Sequence, residues 1–121
     1  MDWHFSGDRP IWQQITEQLT ARILKGEYPP GSRLPSVREL AAQAGVNPNT
    51  MQRALSALEQ EGLADSNRTA GRSVTEDTAV IQRARHRAAQ AAAAAYIQAL
   101  HELGYSPTEA AGFLKEEEAH E

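Results

Sequence analysis

Apolar residues in the first half of the chain recur at intervals of three and four positions, which is the spacing of one face of an α-helix. Three runs of this kind precede residue 60, and their members are Ile11, Ile15, Leu19 and Ile23, then Val37, Leu40, Ala41 and Ala44, then Met51, Ala54, Leu55 and Leu58. A helix with one apolar stripe buries that stripe against its neighbours. The pattern therefore predicts three helices that share one core.

The boundaries of the second and third helices can be predicted from capping residues. Ser36 and Glu39 have the S-x-x-E spacing of a capping box, so a helix should begin at Ser36. Gly45 supplies the left-handed residue that commonly ends a helix. Asn47 is a favourable N-cap, and Pro48 suits the first position of the next helix. Two short helices joined by so tight a turn indicate a helix-turn-helix motif.

A β-hairpin is predicted after the third helix. The segment from Leu63 to Val74 contains the turn-forming residues Ser66, Asn67, Thr69 and Gly71 between two short runs. The expected fold class is thus mostly α with one small hairpin.

The segment from Thr75 to Leu103 predicts one long helix, because it is rich in alanine and contains neither glycine nor proline. A helix of this length needs a surface against which to bury its apolar face. Small residues let two helices approach closely, so we expect two copies of the chain to associate here, although the helix could instead fold back on its own domain. The expected dimer residues are Ile81, Ala84, Ala88, Ala92, Ala95, Ala99 and Leu103.

A second helix is predicted near the carboxyl terminus. Gly104 ends the long helix, and Ser106 and Glu109 form another capping box around Pro107. The residues expected to face inward from this helix are Ala110, Phe113 and Leu114. The chain is therefore expected to contain a winged helix-turn-helix domain over residues 1–75 and a helical dimerisation hairpin over residues 76–121.

Several motifs in the first 75 residues occur together and in a characteristic order. They are Pro10-Ile11-Trp12-x-Gln14-Ile15, Gly26-x-Tyr28-x-Pro30-Gly31-x-Arg33-Leu34-Pro35-Ser36-x-Arg38-Glu39-Leu40-Ala41, Asn47-Pro48-Asn49-Thr50 and Ala54-Leu55-x-x-Leu58-Glu59-x-Glu61-Gly62-Leu63. This part of the chain resembles the winged-helix domain of the GntR family of bacterial transcription regulators. The short helical ending resembles that of the YtrA-like subfamily, whose members dimerise through this segment and lack an effector domain.

The resemblance implies that the second helix of the motif enters the major groove of DNA and that the hairpin, the wing, lies against the backbone or the adjacent minor groove. Free amides at a helix start attract phosphate, amide side chains can pair with adenine, and arginine binds guanine or phosphate. For Asn47 capping alone is an alternative, and for Arg38 an ion pair with a neighbouring glutamate. The expected DNA contacts are Ser36, Arg38, Asn47, Asn49, Thr50, Gln52, Arg53, Arg68, Gly71 and Arg72.

Two parts of the domain, the wing and the third helix, depart from the family pattern. The family wing has two glycines around a basic residue followed by an aromatic residue, whereas residues 67–74 of this chain lack the first glycine and the aromatic. Many relatives also have a second basic residue where this chain has Gln52. A weaker phosphate contact is expected there, and the wing tip is expected to differ in shape.

The net charge of −4 is unusual for a DNA-binding protein, but the excess is confined to the carboxyl-terminal part. Residues 1–75 contain 8 basic and 8 acidic side chains, and the remainder contains 4 basic and 8 acidic ones. A neutral domain can bind DNA through a locally basic face. We expect Arg38, Arg53, Arg68 and Arg72 to cluster while Glu17, Glu59 and Glu61 point away.

Other classes of function find little support. Cysteine is absent, and the four histidines are too scattered for a metal motif. We find no nucleophile, phosphate loop or paired catalytic acids, so we expect no enzyme, cofactor or metal. No apolar run approaches the roughly 20 residues of a membrane span, and no signal peptide is recognisable, so a cytoplasmic protein is expected. No small-molecule effector can be assigned.

The sequence thus predicts a homodimeric repressor that binds an inverted repeat in double-stranded DNA, with half-sites about 10 bp apart. The alternative is a winged-helix module that binds a protein partner.

Overall fold

The computed structural model describes residues 3–67 and 71–119. Within these residues the elements are, in order, α1 (Ile11–Lys25), α2 (Val37–Ala44), α3 (Pro48–Gln60), β1 (Ala64–Asn67), β2 (Gly71–Val74), α4 (Thr78–Glu102) and α5 (Pro107–Ala119). The predicted fold class, mostly helical with one antiparallel hairpin, is confirmed. The chain forms two compact units, of which the first ends at Arg83 and the second begins at Ala84.

The core of the first unit is formed by α1, α2, α3 and the base of the hairpin. Its largest fully buried side chains are Ile15, Leu19, Ile23, Leu40, Met51, Leu55, Leu58, Leu63 and Val74. The predicted apolar face of α3 is buried throughout. In the shorter α2 the central residues Leu40 and Ala41 are buried, whereas Val37 and Ala44 at its ends are half-buried.

The helix ends of the helix-turn-helix motif follow the capping prediction. The Ser36 hydroxyl accepts a hydrogen bond from the backbone N–H of Glu39 at 3.1 Å. The Asn47 side-chain oxygen accepts one from the N–H of Asn49 at 2.7 Å. Gly45 ends α2 with a φ of +69°, a conformation that costs glycine little.

Helix α4 begins at Thr78, three residues later than predicted. Thr75 is still held beside the hairpin, because its N–H donates to the carbonyl of Leu63 at 3.0 Å. Asp77 then caps the helix by accepting a hydrogen bond from the N–H of Ala79 at 3.0 Å. Thr75 and Asp77 therefore form the hydrogen bonds that end the wing and cap α4, which explains why the helix begins later than predicted.

Residues 31–34, which precede α2, pair with β2. The Leu34 N–H donates to the Arg72 carbonyl at 2.9 Å, and the Val74 N–H donates to the Ser32 carbonyl at 2.8 Å. An antiparallel bridge joins Arg33 to Ser73 between them. This pairing attaches the chain just before α2 directly to the wing.

The second unit buries few side chains of its own. From residue 84 to residue 119, only Ala84 and Ala110 are buried. The Tyr96 hydroxyl donates to the Ala110 carbonyl at 2.6 Å. The prediction that Phe113 and Leu114 face inward is wrong, since they are 36% and 52% exposed. Ala110 is therefore the one predicted inward-facing residue of α5 that is buried.

Candidate nucleic-acid interface

Arg38 is an exposed side chain in the first turn of α2. Among the residues that the structure describes, its guanidinium has no hydrogen-bond or ion-pair partner. The alternative interpretation, an ion pair with a neighbouring glutamate, is therefore not seen. The first amides of a helix lack partners within the helix. Arg38 and these amides together form an arrangement suited to an anion.

A cleft lies between the start of α2 and the wing. Its α2 side is lined by Pro35, Ser36, Val37 and Arg38, and its wing side by Ser66, Asn67, Gly71 and Arg72. Four of the predicted DNA contacts, Ser36, Arg38, Gly71 and Arg72, are thus brought together. The pairing of residues 31–34 with β2 holds the two sides next to each other. Arg33 extends the lining and was not singled out as a contact by the sequence analysis.

The first turns of α3 present polar side chains. Asn47, Asn49 and Gln52 are exposed, and Thr50 is half-buried. The oxygen of Asn47 caps the helix, so the capping role is real. Capping leaves the side-chain NH₂ of Asn47 available as a donor.

Arg53 lies over the indole of Trp12, with its Cζ 4.3 Å from the ring centroid. This is the geometry of a cation–π contact. Near it, the Thr16 hydroxyl lies 3.2 Å from the carbonyl oxygen of Ala54, which joins α1 to α3. Trp12 therefore restrains a predicted DNA contact, a role that the sequence analysis did not assign to it.

Arg72 is paired with Glu59 of α3 through its Nε. The Ser66 hydroxyl donates to the same carboxylate oxygen at 2.5 Å. The expectation that Glu59 points away from the basic residues is thus wrong. Hydrogen bonding from Ser66 is the largest cause that lowers the pKa of Glu59 from its ordinary value, and Arg72 adds to it. The carboxylate is ionised at neutral pH and offsets the charge of Arg72.

Arg68 and Gly71 are two further predicted DNA contacts in the hairpin segment. Arg68, a predicted DNA contact, lies outside the described residues. Gly71 has a φ of +74°, so any other residue at this position would be strained.

The described residues show few features of other functions. They contain no group of three or more histidine, aspartate or glutamate side chains placed to hold a metal ion. None of the helices in residues 3–67 and 71–119 is both long enough and apolar enough to cross a membrane.

Two proteins from Bacillus subtilis (strain 168) are similar to this chain. The uncharacterized HTH-type transcriptional regulator YhcF is 34% identical, over 90% of this chain and 90% of that protein. The HTH-type transcriptional repressor YtrA is 44% identical over 56% of this chain, a match that covers 52% of its own length.

Two solved structures have a similar fold. A GntR family transcriptional regulator from Listeria monocytogenes superposes with a TM-score of 0.87 and 32% identity, covering 93% of this chain and 98% of that one. The crystal structure of AraR(DBD) in complex with operator ORX1 matches with a TM-score of 0.57 and 28% identity, covering 62% of this chain and 96% of that one.

Residues 11–74 match the family described as "Bacterial regulatory proteins, gntR family". This segment extends from α1 to the end of β2 and contains both sides of the cleft. The chain belongs to the GntR family of bacterial transcriptional regulators.

Proposed function

We propose that this regulator represses transcription by binding, as a homodimer, to an inverted-repeat operator in double-stranded DNA. The proposal assigns DNA binding to residues 1–75 and dimerisation to residues 76–121. The observation that carries it is the cleft in which Arg38, without a partner among the described residues, lies beside the wing.

The contacts are assigned by position. Exposed polar side chains on the first turns of α3 suit the major groove, where amide groups can pair with base edges. Arginine side chains and backbone amides at the start of α2 and in the wing suit contact with the phosphate backbone. Of the predicted contacts, we retain Ser36, Arg38, Asn47, Asn49, Thr50, Gln52, Arg53, Arg68 and Gly71 as proposed DNA contacts. Arg72 is set apart from them, because its Nε is bound to Glu59.

The second unit supplies the argument for a dimer. It exposes large apolar side chains, including Leu103 at 72% and Leu114 at 52%. Exposed apolar surface of this kind is typical of an interface between proteins. Ile81 and Ala84 are already buried within the single chain and offer a partner little surface. The proposed interface therefore rests on the exposed residues Ala88, Ala92, Ala95, Ala99 and Leu103.

Repression is favoured by one of the relatives. YtrA is named a repressor, and AraR(DBD) has been crystallised with an operator. A dimer that covers two half-sites about 10 bp apart can block access of RNA polymerase to a promoter. This is the mechanism that we propose for the present chain.

The experiment that tests the proposal is selection of bound sequences from a random DNA library by the full-length protein. We expect an inverted repeat to be enriched, and its affinity in fluorescence anisotropy to fall steeply as salt rises. Sedimentation should give twice the mass of one chain. If no sequence is enriched, DNA binding by this chain alone is contradicted, and a protein-binding winged helix becomes the better explanation.

A further inference from the structure

Glu59, in the last turn of α3, contacts both strands of the wing through one carboxylate oxygen. This Oε1 accepts hydrogen bonds from the Ser66 hydroxyl and from the Nε of Arg72. Ser66 and Arg72 are directly opposite each other in the register of β1 and β2. One carboxylate therefore joins α3 to a cross-strand pair. We call Glu59, Ser66 and Arg72 the wing clamp.

The outer half of the hairpin has little apolar anchorage. Of the described strand residues, only Ala64 in β1 and Val74 in β2 are buried, and these two form the pair at the base of the hairpin. A two-stranded hairpin with four residues in each strand is marginally stable alone. The wing clamp lies two positions beyond the base pair. It therefore anchors a part of the hairpin that the core does not reach.

The wing clamp is partly shielded from solvent. The side chains of Arg72 and Glu59 are 17% and 27% exposed. Water and salt weaken an ion pair less at such a position than at a fully exposed one. The lowered pKa of Glu59 is consistent with a carboxylate that is stabilised in its ionised form, first by Ser66 and then by Arg72.

We propose that Glu59 is a positioning residue for DNA binding, and that Arg72 acts as its structural partner and not as a phosphate ligand. Gly71 and Arg72 line the wing side of the cleft opposite Arg38. A wing held against α3 keeps this cleft at a fixed width. The inference rests on the proposed function, because it concerns how the cleft meets DNA.

The test uses Glu59→Gln, Arg72→Ala and the double variant, all in the full chain. Glu61→Gln is the matched control, because Glu61 is exposed and its side chain has no partner among the described residues. Binding to the DNA selected by the wild-type protein is measured by fluorescence anisotropy at several salt concentrations. Amide hydrogen exchange in residues 64–67 and 71–74 is measured in the free protein.

Both single variants and the double variant should weaken binding by the same factor, about three- to tenfold, because each removes the same clamp. The slope of log affinity against log salt should stay unchanged, since no phosphate contact is lost. Exchange should become faster in both strands. Glu61→Gln should show neither loss of affinity nor faster exchange.

A different pattern would overturn the proposal. If Arg72→Ala lowers the salt slope by about 2, one phosphate contact for each half-site, while Glu59→Gln binds at least as tightly as Glu61→Gln, Arg72 is a phosphate ligand. Unchanged wing exchange, or unchanged affinity in all three variants, also contradicts it. Glu59→Gln keeps the shape of the side chain, so this variant still tests the positioning role of Glu59 if Arg72→Ala does not fold. If the wild-type protein selects no DNA, the proposed function fails instead, and hydrogen exchange still tests the clamp.

Discussion

Replacing Arg38 with alanine should weaken operator binding while leaving the fold intact. The side chain is exposed and forms no hydrogen bond or ion pair with the described residues, so its removal breaks no polar interaction in the part of the chain that the structure describes. Alanine is also a slightly better helix former than arginine. The free energy of unfolding should therefore change by no more than about 0.5 kcal/mol.

The loss of affinity can be estimated from the number of contacts. One arginine contact to DNA contributes about 1 to 3 kcal/mol. In the proposed dimer every substitution is present twice on an inverted repeat, so the expected loss is about 2 to 6 kcal/mol. This corresponds to a factor between about 30 and about 10⁴ in the dissociation constant. The salt slope should also fall by about 2, because two phosphate contacts disappear.

Fluorescence anisotropy on the selected operator, from about 50 to 200 mM salt, provides the measurement. Arg87→Ala is the matched control, because Arg87 is an exposed helical arginine in the second unit without a partner among the described residues. If Arg38→Ala binds like the wild type at about 150 mM salt, Arg38 does not contact DNA. Equal losses in both variants would indicate a general effect of charge and refute the assignment to the cleft.

Substitutions in α1, α3 and α4 have separate expected outcomes. Trp12→Leu should lower operator affinity severalfold in anisotropy while Trp12→Phe retains most of it, because the cation–π contact to Arg53 is worth about 0.5 to 1 kcal/mol. Equal operator affinities of the two Trp12 variants would contradict this. The pKa of Glu59 is lowered in the folded protein, so its ionised carboxylate should stabilise the fold at neutral pH. This contribution should be lost as the pH falls below the usual glutamate pKa of about 4.3 and then through the lower pKa of the folded state. The difference in Tm between wild type and Glu59→Gln should accordingly disappear in acid, and a constant difference would refute the linkage. Ala92→Glu should yield monomers in sedimentation while Gln90→Glu, on another face of α4, should not; a dimeric Ala92→Glu would contradict the proposed interface.

The helices of the first unit could be predicted from sequence because their signals are local. The cap of α2 at Ser36, its end at Gly45 and the cap of α3 at Asn47 each depend on residues within four positions. The apolar face of α3 depends only on helical periodicity. The start of α4 was less predictable, because Thr75 forms a hydrogen bond to a residue on the other side of the hairpin.

The site was only partly predictable because its contacts join distant parts of the chain. Glu59 and Arg72 are 13 positions apart and meet only after the wing has packed on α3. Neither the spacing nor the charge of these residues indicates that they pair. Likewise, the stacking of Arg53 on Trp12 depends on how α1 crosses α3. Motif resemblance identified residues near the cleft. It could not distinguish an arginine without a polar partner among the described residues, such as Arg38, from one that is bound to a carboxylate, such as Arg72.

The pairing of residues 31–34 with β2 limits how parts can be exchanged between relatives. A hairpin joined to the rest of the protein only at its two ends could be replaced by the hairpin of a relative without any other change. Here the hairpin shares backbone hydrogen bonds with a segment about 40 positions earlier. A chimaera that imports the wing of another regulator should fold well only if it imports the matching residues 31–34 too. We therefore expect the two segments to change together among relatives, although the whole helix-turn-helix separates them in the gene.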